Sequence, residues 1–308
     1  MTRRPVCDWH ETSATRPETS AIIDLSQLSL EIAAGLFVAS AGVIVLFGSW
    51  MARTADRLAD MTGMGEAIMG GVFLGGMTSV SGITTSVTAA ADGYAELGVS
   101  NAIGGIVAQT VFLAMADMAY RRANLEHAAA SLANVVQGAL LVVLLSVPLA
   151  AQAGPEVAVA GVHPVSIALL LIYGFGVHLT SKAREEPMWA SKTTPQTKTD
   201  RPDEPKQKGR ALWTVWVRFL LFASITASAG YVVAKTGIVI SEKTGLSEAV
   251  VGGVFTAVCT SLPELVTSVA AVRAGALTLA VGGVIGGNCF DVLFVSFADI
   301  AYRYGSIY

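Results

Sequence analysis

Glu264 is the residue on which chemistry would turn. It follows Pro263 in the middle of the apolar run 246–271, with hydroxyls at Thr260, Ser261, Thr267 and Ser268. An ionised carboxylate in such a run is costly, so acids there face a cavity or a bundle interior and mark ion or proton paths. Residues three and four apart are neighbours on a helix, which sets those four hydroxyls on faces beside Glu264. Pro263 lacks an N–H and disrupts the helix around it, freeing nearby carbonyls. A carboxylate with hydroxyls and loosened carbonyls is a hard-oxygen set, suited to Ca2+, Na+ or a proton and not to soft metals. The same residue types would also serve a structural acid hydrogen-bonded within a bundle.

Asp291 is the second acid in an apolar run. It closes GGNCFD (286–291), with Asn288 one helical turn earlier. Gly286 and Gly287 would let two helices approach closely. Glu264 and Asp291 are the two positions from which a metal cation could be held. Gln109, in the run 98–118, adds a polar oxygen; its rival role is an interhelical hydrogen bond.

The elements that carry these residues must be membrane helices. Hydrophobic residues make up 53% of the 308, and charged residues only 14%, where a soluble domain has about 25%. Mean hydropathy is +0.59. With about 20 residues needed per crossing, the apolar runs give eight spans: 29–50, 64–90, 98–118, 128–150, 163–180, 212–234, 246–271 and 278–300. Membrane β-barrels are set aside, because their strands are short and alternate apolar with polar residues. The expected fold is therefore an all-α integral membrane protein. Residues 1–28 form a polar tail with no apolar core, hence no cleavable signal peptide. The segment 181–211, rich in Pro, Thr, Lys and Asp, reads as a loop.

Lys and Arg orient the spans. Arg53, Arg57, Arg121, Arg122, Arg273 and the basic complement of the 181–211 loop fall on one side, while connections 91–97 and 151–162 carry no basic residue. The basic side should face the cytoplasm. That places the protein in the inner (plasma) membrane with an extracytoplasmic N-terminus and a cytoplasmic 181–211 loop, although Arg3, Arg4 and Arg16 pull the other way.

The sequence repeats itself. TGMGEAIMGGVF (62–73) returns as TGLSEAVVGGVF (244–255), and residues 62–121 match 244–303 without a gap at 26 of 60 positions. A register held through Gly, Asp, Tyr and Arg is duplication rather than shared greasiness. The first copy opens at span one and the second at span six. An odd number of spans separates them, so the second must insert upside down. Inverted repeats of this kind hold a substrate near mid-membrane, between helices interrupted by Gly or Pro. Here the interruptions are GGMTSVSGITTS (75–86) and VCTSLPELVTS (258–268). The organisation is a tail (1–28), a first repeat (29–180), a loop (181–211) and a second repeat (212–308).

TSLPELVTS (260–268) and GGNCFD (286–291) resemble the second signature repeat of the calcium/cation antiporter superfamily, and TSVSGITTS (78–86) with VSNAIGGIVAQ (99–109) resembles the first. The resemblance implies alternating access, with inorganic cations such as Ca2+, Na+ or H+ held between the signature repeats and no resident cofactor. It implies that Glu264, Thr260 and Ser261 lie on the ligand-bearing helix and Asn288 and Asp291 on its partner. Thr78, Ser79 and Gln109 complete the first-repeat side. The chain departs from the family pattern in two ways. Gly82 and Ser81 stand where the second copy has Glu264 and Pro263, so an acid is missing opposite Glu264. If the signature helices cross at mid-membrane, a carboxylate at position 82 would face Glu264. Family members typically have ten or eleven spans, so the resemblance implies either an eight-span version or a second repeat whose last two helices are absent from this sequence.

Other charged groups point to architecture. Glu66 and Glu248 open spans two and seven, where a carboxylate suits a helix start or lines an entrance. Asp117 with Arg121, and Asp299 with Arg303, form i,i+4 pairs that would fix helix ends. Cys7, Cys259 and Cys289 are too scattered for a disulfide or metal framework and read as packing residues. No phosphate-cradling or nucleophile motif occurs, and the net charge of −3 gives no ground for nucleic-acid binding. The partners expected are lipid and cations, with no nucleotide and no enzyme chemistry. The different-class alternative is a non-transporting membrane scaffold or sensor on the exchanger fold.

Overall fold

The computed structural model describes residues 27–62, 76, 78–120, 124–155, 157–185, 210–274 and 277–308. Nine principal helices run through them: α1 (Leu30–Thr62), α2 (Val80–Ala91), α3 (Ala95–Ala119), α4 (Leu132–Gln152), α5 (Pro164–Glu185), α6 (Arg210–Thr244), α7 (Ala257–Ala274), α8 (Leu277–Asp291) and α9 (Leu293–Ala301). Among the described residues seven helical stretches are long and apolar enough to cross a membrane. The exception is the span expected at 64–90. Residues 63–75 and 77 lie outside the described set, and α2 is the described remainder.

The molecule is turned inside out relative to a soluble protein. Val38, Leu149, Leu171, Phe175 and Trp213 are exposed, while Thr85, Ser86, Asn101, Gln109 and Asp291 are buried. Apolar side chains cost nothing against lipid, whereas polar groups must find partners inside the bundle. In the apolar 18-residue window of Ala280–Ala301 72% of residues are buried and in that of Leu30–Leu58 only 17%, so α8 and α9 sit at the centre and α1 at the rim. The helices α1 and α6 form the most extensive pair among the described residues and cross α7 and α2, respectively. At 33 and 35 residues they reach roughly 50 Å. That exceeds the apolar thickness of a bilayer, so they must tilt or protrude; the sequence reading ended spans one and six too early. Apolar clusters fill the remaining space. Cys259 packs with Ile44, Ala229 and Val233, and Cys289 with Leu144, Leu169 and Tyr173. Both thiols are free.

Of the two expected helix breaks, the one in 75–86 falls at Ser79, and the one in 258–268 is absent. α7 runs straight through Pro263, whose ring is received by Gly48 of α1: a Cβ there would stand 2.6 Å from Pro263 Cγ. The irregularity in this span lies upstream, as a π-helical stretch at Val251–Thr256. Such stretches concentrate at functional sites. An interruption falls at Ser79, before α2, while α8 passes into α9 at Val292 with helical dihedrals. The interruption at Ser79 therefore adjoins a polar residue of interest.

The two copies meet at equivalent positions. Gln109 and Asp291 are repeat mates at an offset of 182, and the Gln109 Nε2 atom donates to Asp291 Oδ2 at 2.6 Å. Equivalent residues touch only near the pseudo-symmetry axis, which runs through this pair. The expected Asp299–Arg303 pairing gives way to another use. Asp299 accepts from the His163 N–H (2.9 Å) and from Ser166 Oγ (2.7 Å) at the start of α5. Its mate Asp117 accepts from the Leu125 N–H (2.7 Å) at the one-turn helix Leu125–Ala128; Arg121 lies outside the described residues. Both acids hold helix starts, where unpaired N–H groups and the helix dipole favour a carboxylate.

Candidate functional site

Asp291 is the centre of the site. It is 2% exposed and receives Ser79 Oγ on Oδ1 at 2.6 Å and Gln109 Nε2 on Oδ2 at 2.6 Å. Three segments far apart in sequence thus converge on one carboxylate. Ser79 reaches it because the chain turns there to begin α2, and Gln109 because it occupies the mirror position on α3. Ser261 flanks the same point. A Cβ on Gly105 would stand 3.4 Å from Ser261 Oγ and 3.8 Å from Asp291 Oδ2, so glycine keeps the gap between them clear.

Glu264 stands beside this cluster on α7, 8% exposed. It accepts a hydrogen bond from Thr78 and lies near enough to Asp291 for the two charges to interact, while its Oε2 atom has no partner. The expected pair of acids is brought together. Thr260, by contrast, turns away, with Oγ1 directed to Ala257 O (3.3 Å) and Asn101 Oδ1 (3.5 Å). Asn288 donates through Nδ2 to Thr110 Oγ1 (3.3 Å) and leaves Oδ1 unpartnered. Gln109 Oε1 is unpartnered as well. Three buried acceptor oxygens, on Glu264, Gln109 and Asn288, thus lack donors in a region rich in neutral hydroxyls. Buried polar atoms normally find partners, and a cation satisfies acceptors without supplying a proton. Among the described residues no three His, Cys, Asp or Glu side chains converge as a metal set. A cation here would draw on hydroxyl, amide and backbone oxygens together with the two acids.

Gly82 is closed off. A Cβ there would lie 2.7 Å from Phe294 Cε2, so the α9 ring fills the place where a longer side chain would begin. A carboxylate at position 82 could face Glu264 only after that ring moves.

Asn101 was missed by the sequence reading. It is 1% exposed, donates through Nδ2 to Ser86 Oγ (2.9 Å) and Gly82 O (3.3 Å), and accepts from Thr256 Oγ1 (2.7 Å). It therefore joins α3, α2 and the π-helical stretch before α7 behind the site. The signal was available as an amide inside an apolar run. Glu248 lies in the first turn after Ser247, which caps it by accepting from the Val250 N–H (3.3 Å), and Glu248 Oε2 accepts from the Leu97 N–H (3.4 Å). Its described role is at helix starts. Glu66 lies outside the described residues.

Comparison with known proteins gives this arrangement its context. The sodium/calcium exchanger protein family matches residues 32–182 and 213–298, well over half of the chain. The chain belongs to that family. It is a family of membrane transporters, not of enzymes, and its match takes in every residue of the site described above. Among curated relatives, inner membrane protein YrbG of Escherichia coli (strain K12) is 34% identical over 91 residues, 30% of this chain and 27% of the relative. The sodium/calcium exchanger MaX1 of Methanosarcina acetivorans is 37% identical over 81 residues, 26% of this chain and 23% of the relative. The chain thus matches about a quarter of the length of each. Structures of the sodium-calcium exchanger NCX_Mj are similar over most of the fold. One, soaked with 10 mM Na+ and zero Ca2+, has a TM-score of 0.56 at 20% identity and covers 90% of this chain and 85% of that one. Another, soaked with 2.5 mM Na+ and 0.1 mM Ca2+, has a TM-score of 0.54 at 21% identity, covering 89% and 84%. The inverted-repeat exchanger fold is shared.

Proposed function

We propose that the chain is a secondary antiporter that exchanges Ca2+ or another inorganic cation for Na+ or H+ by alternating access. The observation that carries this reading is the cluster of buried acceptor oxygens without donors, on Glu264, Gln109 and Asn288, around the paired acids Glu264 and Asp291. Glu264 and Asp291 are the anionic ligands. Thr78, Ser79, Ser261, Asn288 and Gln109 contribute neutral oxygens or hold the acids in place, while Thr260 turns to Asn101 behind them. Two carboxylates balance one divalent cation, two monovalent cations, or one monovalent cation and a proton. Gly82 removes the acid that would favour the divalent case, since Ca2+ affinity rises with the number of charged ligands.

The two repeats, 29–180 and 212–308, form the halves between which the cation passes; the connection read as a loop at 181–211 is narrower, since α5 runs to Glu185 and α6 starts at Arg210. The basic-residue asymmetry supports an inner (plasma) membrane location with the loop cytoplasmic and the N-terminus outside. Lipid covers the exposed Val, Leu and Phe side chains. The Phe294 ring against Gly82 favours a second reading, a non-transporting scaffold whose site is partly filled. Isotope flux of Ca2+ and Na+ into vesicles under an imposed Na+ or pH gradient decides between them. Exchange that needs no nucleotide supports the antiporter; no flux under any gradient supports the scaffold.

A further inference from the structure

Both acids of the site come from the second repeat, and their mates in the first are neutral. At the offset of 182, Glu264 answers to Gly82 and Asp291 to Gln109. Hydrogen-bond donors already occupy most of the carboxylate oxygens. Ser79 Oγ meets Asp291 Oδ1 and Gln109 Nε2 meets Oδ2, each at 2.6 Å. Thr78 donates to Glu264, whose Oε2 atom is left unpartnered. The other open acceptors of the site are amide oxygens, Gln109 Oε1 and Asn288 Oδ1. Gln109 is 2% exposed, and Gly287 on α8 makes room for its oxygen: a Cβ there would stand 3.4 Å from Gln109 Oε1. Asn288 is the next residue along α8, with its nitrogen engaged by Thr110 Oγ1.

Gln109 faces its own repeat mate across the pseudo-symmetry axis. Carboxylates at both positions would set two like charges within hydrogen-bond distance, a pair that only a proton or a multiply charged cation relieves. The amide removes that demand. Its nitrogen holds one Asp291 oxygen by a charge-assisted bond, and its own oxygen remains as a neutral ligand. Ca2+ takes roughly six to eight oxygens, and its affinity climbs with the number of charged ligands. For Asp291 to turn its oxygens to such an ion, the short bonds from Ser79 and Gln109 would have to lengthen or break. A singly charged ion, met by Glu264 Oε2 and the amide oxygens, leaves both bonds in place.

We propose that the site selects a monovalent cation of the Na+ type over Ca2+, and that Gln109 is the residue that sets this preference. The inference rests on the antiporter reading and names the substrate class of that same site. Asp291 is then a braced wall of the site, Glu264 its one freely offered charge, and Gln109 a neutral ligand where a second acid would call for a divalent ion. The asymmetry between the repeats has the same sense at both positions, since Gly82 and Gln109 each withhold a charge.

Thermal unfolding of the full chain in detergent tests this without requiring transport, because a cation that binds the folded state raises the midpoint with its concentration. NaCl should raise the wild-type midpoint above that in choline chloride of equal ionic strength, at concentrations where CaCl2 does not. Gln109→Glu should raise Ca2+ affinity relative to Na+ by about tenfold or more, while Gln109→Asn, which keeps the amide, should retain the wild-type order. A merely structural role for Gln109 would lower the midpoints and leave the ratio where it was. The proposal is overturned by a wild type that binds Ca2+ more tightly than Na+, by Na+ that stabilises no better than choline, or by an unchanged ratio in Gln109→Glu. Should Gln109→Glu fail to fold, the wild-type order of the two cations carries the test. Vesicles without flux of any cation would defeat the antiporter reading and leave the binding order standing.

Discussion

Ser79 Oγ and Asp291 Oδ1 lie 2.6 Å apart across 212 residues of chain. The chain turns at Ser79 to begin α2, while Asp291 lies where α8 passes into α9 with helical dihedrals at Val292. The hydrogen bond therefore joins one span from each repeat at the point where Gln109 also meets Asp291. Glu264 stands beside them on an unbroken helix. The site has one acid held by two neutral donors and one acid with an oxygen to spare.

Glu264→Gln should abolish cation exchange. It keeps size and one carbonyl oxygen but removes the charge, and a buried charge partner lost at a recognition site costs roughly 2–5 kcal/mol, about thirtyfold or more in affinity. Folding should survive, because a buried charge is itself expensive; thermal unfolding in detergent should show an unchanged or raised midpoint. Isotope flux with matched protein amounts is the measurement, and undiminished exchange would remove Glu264 from the site.

Gly82→Glu alone should destabilise the protein, since a Cβ meets Phe294 Cε2 at 2.7 Å and overpacking costs typically about 1–3 kcal/mol. Combined with Phe294→Ala, it should regain part of that loss and shift the flux ratio from Na+ towards Ca2+. A double variant that folds and shows the wild-type ratio would refute the placement of position 82 across from Glu264.

Asn101→Leu leaves Thr256 Oγ1 without its side-chain acceptor and Ser86 Oγ without its donor. Both hydroxyls keep a backbone acceptor, so the loss is of Asn101's own hydrogen bonds, about 0.5–1.5 kcal/mol each; the unfolding midpoint should drop by several degrees, with exchange slowed in the protein that remains folded. A variant as stable and active as wild type would show that the amide does not brace the site.

Reporter fusions settle orientation. A fusion after residue 195 should report the cytoplasm and one at the N-terminus the opposite side, from the distribution of Lys and Arg. The same side for both would remove the basis for inverted insertion.

The sequence alone determined the class, the repeat and the two acids. Long apolar runs with few charges can satisfy their backbone only as helices in lipid. A gapless register through Gly, Asp and Arg survives only as duplication, and Glu264 and Asp291 stand out because charge in such runs is costly. Composition and spacing are local, so one chain suffices to read them. Tertiary structure decided what those residues do with one another. Which of the two expected breaks formed depended on packing: Gly48 accommodates Pro263 within a continuous α7, while the turn at Ser79 remained. Asp299 found the start of α5 rather than Arg303, and Asn101 became a junction among three elements. Hydrogen bonds between residues more than a hundred positions apart follow from how helices are placed in space, and periodicity along one helix carries no information about its neighbour.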